Sequence, residues 1–177
     1  MSIHSRRRVL QGAAAALGSA AFAPALQAQN APVRIGYAMA RTGPWAPGAQ
    51  VSQEPNYLLW AEQVNAAGGL DVKGTKRPIE LIGVDDRSDI ETCVRSYQKL
   101  MGSDKVDLIL PPWGSNANFA IAPLAQRFGY PMLAPTALSR KLSDMNLSFF
   151  FSILQQHDTM MGALVDSLVG NNVKTIA

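Results

Sequence analysis

Apolar residues along this chain fall into two rhythms, short unbroken aliphatic or aromatic runs and longer stretches in which they recur every three or four positions. The runs at residues 33–39, 79–84, 106–110, 131–134 and 149–154 predict five strands, and 173–177 predicts the start of a sixth. Between them, Tyr57, Trp60, Ala61 and Val64 define one helical face, opened near Pro55 and stopped by Gly68 and Gly69. Ile90, Cys93, Val94, Tyr97 and Met101 define a second, with Ser88 and Glu91 at capping-box spacing. Ala117, Ala120, Ile121, Leu124 and Phe128 define a third, and Met161, Leu164, Val165 and Leu168 a fourth. Strands alternating with helices of this length require right-handed crossovers, so the fold class is α/β, a doubly wound parallel sheet covered on both faces. Such sheets bind ligands beyond the carboxyl ends of their strands. That rule selects three loops, at residues 41–48, 112–118 and 134–139.

Charge sharpens the reading of the N-terminus. The chain carries 16 basic and 13 acidic residues, and Arg6, Arg7 and Arg8 are the only charged residues before Gln29. The rest is therefore neutral, which argues against a nucleic-acid partner. The arginines precede an apolar, Ala-rich run at 9–23 and small-residue sites at 21–25, the layout of a cleaved export signal over residues 1–28, with cleavage between about Ala23 and Ala28. Arg6-Arg7 after Ser5 is similar to a twin-arginine signal and implies the twin-arginine export machinery as a partner. The apolar run is too short to span a bilayer. Because the last residues, 173–177, read as a strand still forming, the sequence reads as the N-terminal portion of a longer protein.

Few residues could carry catalysis. The connection at 40–48 holds Pro44 and Pro47 where a dinucleotide cradle needs free amides, and no phosphate-binding P-loop occurs. His157 is the one histidine outside the signal and reads as a capping or solvated residue, and no His/Cys pair has metal-ligand spacing. Cys93 lies on an apolar stripe and reads as buried. Asp85 and Asp86 form a tight acidic pair, read as a solvated, hydrogen-bonded strand end. No catalysis, metal or cofactor is expected. A binding role has better material: Gly114, Ser115, Asn116, Ala117 and Asn118 place a hydroxyl and helix N-terminal amides after the third strand, which suits an anion, although Ser115 or Asn116 serves equally well as a cap. Trp45 and Trp113 fall in two of the three selected loops, where they either wall a ligand or pack the loops.

Residues 35–44 (Ile-Gly-Tyr-Ala-Met-Ala-Arg-Thr-Gly-Pro), 64–70 (Val-Asn-Ala-Ala-Gly-Gly-Leu), 79–86 ending in Asp-Asp, and 129–135 (Gly-Tyr-Pro-Met-Leu-Ala-Pro) resemble the branched-chain amino acid or amide class of ABC-transporter substrate-binding proteins. The resemblance implies a leucine-binding-protein-like, type I periplasmic fold: two lobes closing over a solute and delivering it to a membrane permease. It implies an N-terminal ligand-binding lobe at 29–172, a second lobe beginning at 173–177, and a periplasmic location. By the same resemblance the small-molecule ligand meets Ser115 and Asn116, Thr136 to Leu138, and the aromatic Trp45. Leu138 stands where the family carries a hydroxyl residue, with Ser139 beside it. An amino acid, an amide or another carboxylate all fit this reading. A membrane sensor's ligand-binding domain and an exported α/β enzyme are the alternatives.

Overall fold

The computed structural model describes residues 31–155 and 157–175, so the expected export signal with Arg6 and Arg7, and residues 176–177, lie outside it. In chain order it contains β1 (Val33–Met39), α1 (Ala46–Ser52), α2 (Glu54–Ala66), β2 (Leu70–Val72), β3 (Thr75–Arg77), β4 (Ile79–Asp85) and α3 (Ile90–Gln98), which runs into a π-helical turn (Lys99–Ser103). β5 (Leu108–Ile109), α4 (Gly114–Phe128), β6 (Met132–Ala134), α5 (Arg140–Ser143), β7 (Phe150–Ser152) and α6 (His157–Gly170) follow. β1 lies between β4 and β5, parallel to both, with Val33 opposite Ile79, Met39 opposite Asp85 and Ile35 opposite Leu108. β6 and β7 form a second parallel pair, Met132 opposite Phe150.

The helical stripes read from the sequence account for the packing. Cys93, Tyr97 and Leu100 meet Ala117, Ile121 and Ala125 over Val106, Ile109 and Met132, so α3 and α4 share one face of the sheet. Ala61 of α2 packs on Val33, Ile35 and Ile79 from the other. Full burial contributes about 1.5–3 kcal/mol for each large side chain. Tyr97 is wholly buried and its hydroxyl donates to the Leu110 carbonyl at 2.5 Å, which offsets the cost of taking that polar atom out of water. Cys93 is buried there too, and burial pushes its thiol well above the ordinary range.

The structure departs from the sequence reading in several places. Asp89, not Ser88, caps α3, accepting from Thr92 N at 2.7 Å. A helix, α1, and a hairpin, β2–β3, occupy stretches read as connections. Coverage of both sheet faces holds only in part: Met132 and Ala134 are buried while Leu133, between them, is 53% exposed, as is Phe151 at 51%. α6 buries none of its residues. Residues 173–175 take no strand conformation.

Candidate functional site

The loops after β1, β5 and β6 converge at one end of the sheet around a cavity of about 300 Å³ lined by Trp45, Trp113, Gly114, Ser115, Asn116, Thr136 and Leu138. Of the residues that the sequence assigned to these loops, Trp45, Trp113, Gly114, Ser115, Asn116, Thr136 and Leu138 line it, whereas Ala137 and Asn118 do not.

Trp45 is held from behind. Its backbone N–H donates to Ser88 Oγ at 3.0 Å, and that hydroxyl donates to Thr42 O at 2.7 Å. Asp85, at the end of β4, gathers the same loop. Its Oδ1 accepts from the amides of Arg41 (3.0 Å), Thr42 (3.2 Å) and Arg87 (2.9 Å), and its Oδ2 from Thr42 Oγ1 at 2.7 Å. Burial pushes the Asp85 carboxyl up, but these donors outweigh it and hold it below the usual carboxylate range. Its neighbour Asp86 is pushed up by burial. The acidic pair is thus structural, and its members oppose each other in acid. Asp85 stabilises fully above the ordinary carboxylate range, and that contribution is lost as pH falls through its folded value; Asp86 contributes in the opposite sense. Asp85→Asn, which turns one acceptor into a donor, is expected to cost about 1–2 kcal/mol at neutral pH and to flatten the acid limb of urea stability. An unchanged acid limb would remove Asp85 from that role.

Trp113 is fixed by α1. Its Nε1–H donates to Ser52 Oγ at 2.9 Å, and its ring lies so close to Gly48 that a Cβ there would sit 2.4 Å from Cζ2. This contact explains the glycine. α4 begins at Gly114, whose φ of 79° suits glycine and whose N–H donates to Thr136 Oγ1 at 3.2 Å. The Thr136 hydroxyl donates in turn to Gln53 Oε1. Gln53 is 1% exposed, and its Nε2 donates to Tyr57 OH at 2.6 Å and Pro111 O at 2.9 Å. One buried amide therefore ties α2 to the loops after β5 and β6. Sequence reasoning missed Gln53; its signal was a polar residue directly ahead of the helix opened by Glu54-Pro55.

No side chain caps α4. Ser115 Oγ instead accepts from the amides of Leu138 and Ser139, each at 3.2 Å, which shapes the β6 loop and leaves the hydroxyl only its proton to donate. The first-turn amides of α4 face the same end of the helix and have no intrahelical acceptors. Asn118 closes the turn, its Nδ2 donating to Pro112 O at 2.9 Å and Gly114 O at 2.7 Å. Asn116 is exposed. Leu138 is 37% exposed, and its carbonyl lies 3.1 Å from His157 Nδ1, whose Nε2 pairs with Asp158 at 2.7 Å. His157 is thus exposed, as its sequence position suggested, and also engages this loop. Among the described residues no cluster of His, Cys, Asp and Glu could hold a metal, and no helix is long and apolar enough to cross a membrane.

This arrangement can hold a small ligand against aromatic walls, with its anionic group at the start of α4. The chain is similar over 71% of its length to the branched-chain amino acid transporter substrate-binding protein of Streptococcus pneumoniae, solved with isoleucine, at 25% identity and a TM-score of 0.63. It is similar over 72% to a type 1 periplasmic binding protein of Bordetella pertussis, at 25% identity and a TM-score of 0.60. An ABC-transporter substrate-binding protein of Desulfitobacterium hafniense shares the fold over 79% of the chain, at 20% identity and a TM-score of 0.64. The matches cover only 34%, 35% and 39% of those proteins, so the chain spans little more than a third of their length. Residues 32–177 match the periplasmic binding protein family, and with its parallel sheet and crossover helices the chain belongs to that family, in its type I fold.

Proposed function

We propose that this chain supplies the first ligand-gripping lobe, residues 29–172, of a periplasmic solute-binding component of an ABC importer, with 173–177 leading into a second lobe. Residues 1–28 serve as a twin-arginine export signal, with Arg6 and Arg7 as its pair. The protein carries out no catalysis. It binds a small amino acid, amide or carboxylate, closes over it and presents it to a membrane permease. Ser115 and the α4 amides hold the anionic group, Trp45, Trp113 and Leu138 enclose the apolar part, and Thr136 and Asn116 complete the rim. The observation that carries this reading is the convergence of three strand-end loops on one aromatic-walled cavity beside an uncapped helix start.

The test begins with a thermal-shift screen of the full-length protein against amino acids, amides and aromatic acids, since a ligand specific for the folded state raises the melting temperature. Calorimetry with the strongest hit then compares Ser115→Ala with the parent. The variant is expected to lose about 1–3 kcal/mol, roughly 5- to 150-fold in Kd. A panel without any stabilising solute, or an unchanged Kd in the variant, would count against the reading.

A further inference from the structure

We infer that Ser52, Gln53 and Glu54, three consecutive residues where α1 meets α2, act as one set of positioning residues that lock the three cavity loops to each other. This inference rests on the solute-binding reading for its purpose, and it names what holds the two aromatic walls in register.

Each of the three residues holds a different loop. Ser52 Oγ accepts from Trp113 Nε1 at 2.9 Å, in the loop after β5, and donates to Gly48 O at 2.7 Å. Gln53 Oε1 accepts from Thr136, in the loop after β6, whose Oγ1 in turn receives Gly114 N. Glu54 Oε1 accepts from Arg41, in the loop after β1, with Nε and Nη2 both at 2.7 Å, and from Tyr37 OH at 3.0 Å. Arg41 is the one charged residue in the three loops, yet it does not line the cavity. Its guanidinium turns inward, donating also to Tyr37 OH at 3.1 Å and Gly83 O at 3.3 Å. A Cβ at Gly83 would lie 2.3 Å from Arg41 Nη2, so the guanidinium fills its seat.

The backbone explains how neighbours reach so far apart. Successive side chains on a helix point about 100° from one another. Gln53, at φ −131° and ψ −58°, breaks the helical path between α1 and α2. The three side chains therefore reach partners 61, 83 and 13 positions away. Gln53 is 1% and Glu54 7% exposed, so neither can exchange its partner for water without a desolvation penalty. Asp85 and Ser88 tie the Trp45 loop to the end of β4 and the turn that follows. Only Glu54 ties it to the segment that also carries the Trp113 and Thr136 contacts. Two planar peptide units separate Ser52 from Glu54, too short and stiff a link for one wall to move alone while these bonds hold.

Hydrogen exchange by NMR on the full-length protein, with no solute added, reads each loop through one amide. Trp45 N–H, bonded to Ser88 Oγ, reports the β1 loop, and Gly114 N–H, bonded to Thr136 Oγ1, reports the other two. Leu110 N–H, bonded to Gly36 O in the sheet, reports global opening. Ser52→Ala, which touches the Trp113 side only, is expected to speed exchange at Trp45 at least about tenfold relative to Leu110. Arg41→Met with Glu54→Gln removes both charges together and leaves Tyr37 its acceptor, so no lone buried charge remains. It should speed exchange at Gly114 by a similar factor. Acceleration confined to the loop that each change touches, or crossing in one direction only, overturns the inference. Equal acceleration at all three amides overturns it too, since the junction would then serve stability alone. Because the readout needs no solute, a protein that binds none defeats the solute-binding reading and leaves the coupling to be judged by these rates.

Discussion

Gln53→Leu is expected to destabilise the folded chain by about 2–4 kcal/mol although leucine nearly matches glutamine in volume. The loss is polar. Thr136 would keep a buried hydroxyl without its acceptor, and Tyr57 OH would lose a donor, while Pro111 O retains only the Tyr57 hydroxyl at 3.2 Å. Gln53→Glu should be worse at neutral pH: it keeps the oxygen facing Thr136 but sets a desolvated carboxylate against the Pro111 carbonyl. Urea unfolding of the two variants gives the order. Both should also bind the best solute more weakly, because Thr136 then no longer fixes Gly114 N at the start of α4. A stability loss below about 0.5 kcal/mol in Gln53→Leu, the range of ordinary surface changes, would show that the loops hold themselves.

The same residue shows where sequence reading reaches its limit. Periodicity finds β1, β4 and the helices α2, α3, α4 and α6 because their apolar positions repeat within a single element. Trp45, Trp113, Ser115, Asn116, Thr136 and Leu138 were reachable because each falls just past a strand, and a parallel sheet gathers those ends on one side. Gln53 acts through partners 58 and 83 positions away, and no local pattern records such a contact. The hairpin β2–β3 had a readable signal, Lys73-Gly74, whose positive φ values of 54° and 82° make a two-residue turn of the primed kind. α1 was hidden by Pro47 and Gly48, which look like breakers; Pro47 in fact occupies a first-turn position where it costs little. Ser88 was mistaken for a cap because it is one residue from Asp89. At φ 58° it turns its hydroxyl to the β1 loop and supports Trp45.

Gly48→Ala separates packing from propensity at the cavity wall. Within a helix, alanine in place of glycine normally adds up to about 1 kcal/mol of stability. Here the added Cβ would lie 2.4 Å from Trp113 Cζ2 and 2.9 Å from Cη2, so the indole has to move. It cannot slide along α1 without breaking the bond from Nε1 to Ser52 Oγ, because Gly48 and Ser52 are one turn apart on the same helix. The sign of the effect should therefore reverse, to a loss of about 1–3 kcal/mol, the usual cost of overpacking. The displaced ring also reshapes a cavity of only about 300 Å³, so solute affinity should fall at least about tenfold and tryptophan emission should shift. Adding Trp113→Ala removes the clash and should let the helix gain reappear in urea unfolding, while affinity stays low because the wall is gone. If Gly48→Ala alone were stabilising and bound solute normally, Trp113 would be free to repack and could not be the rigid wall that the cavity requires.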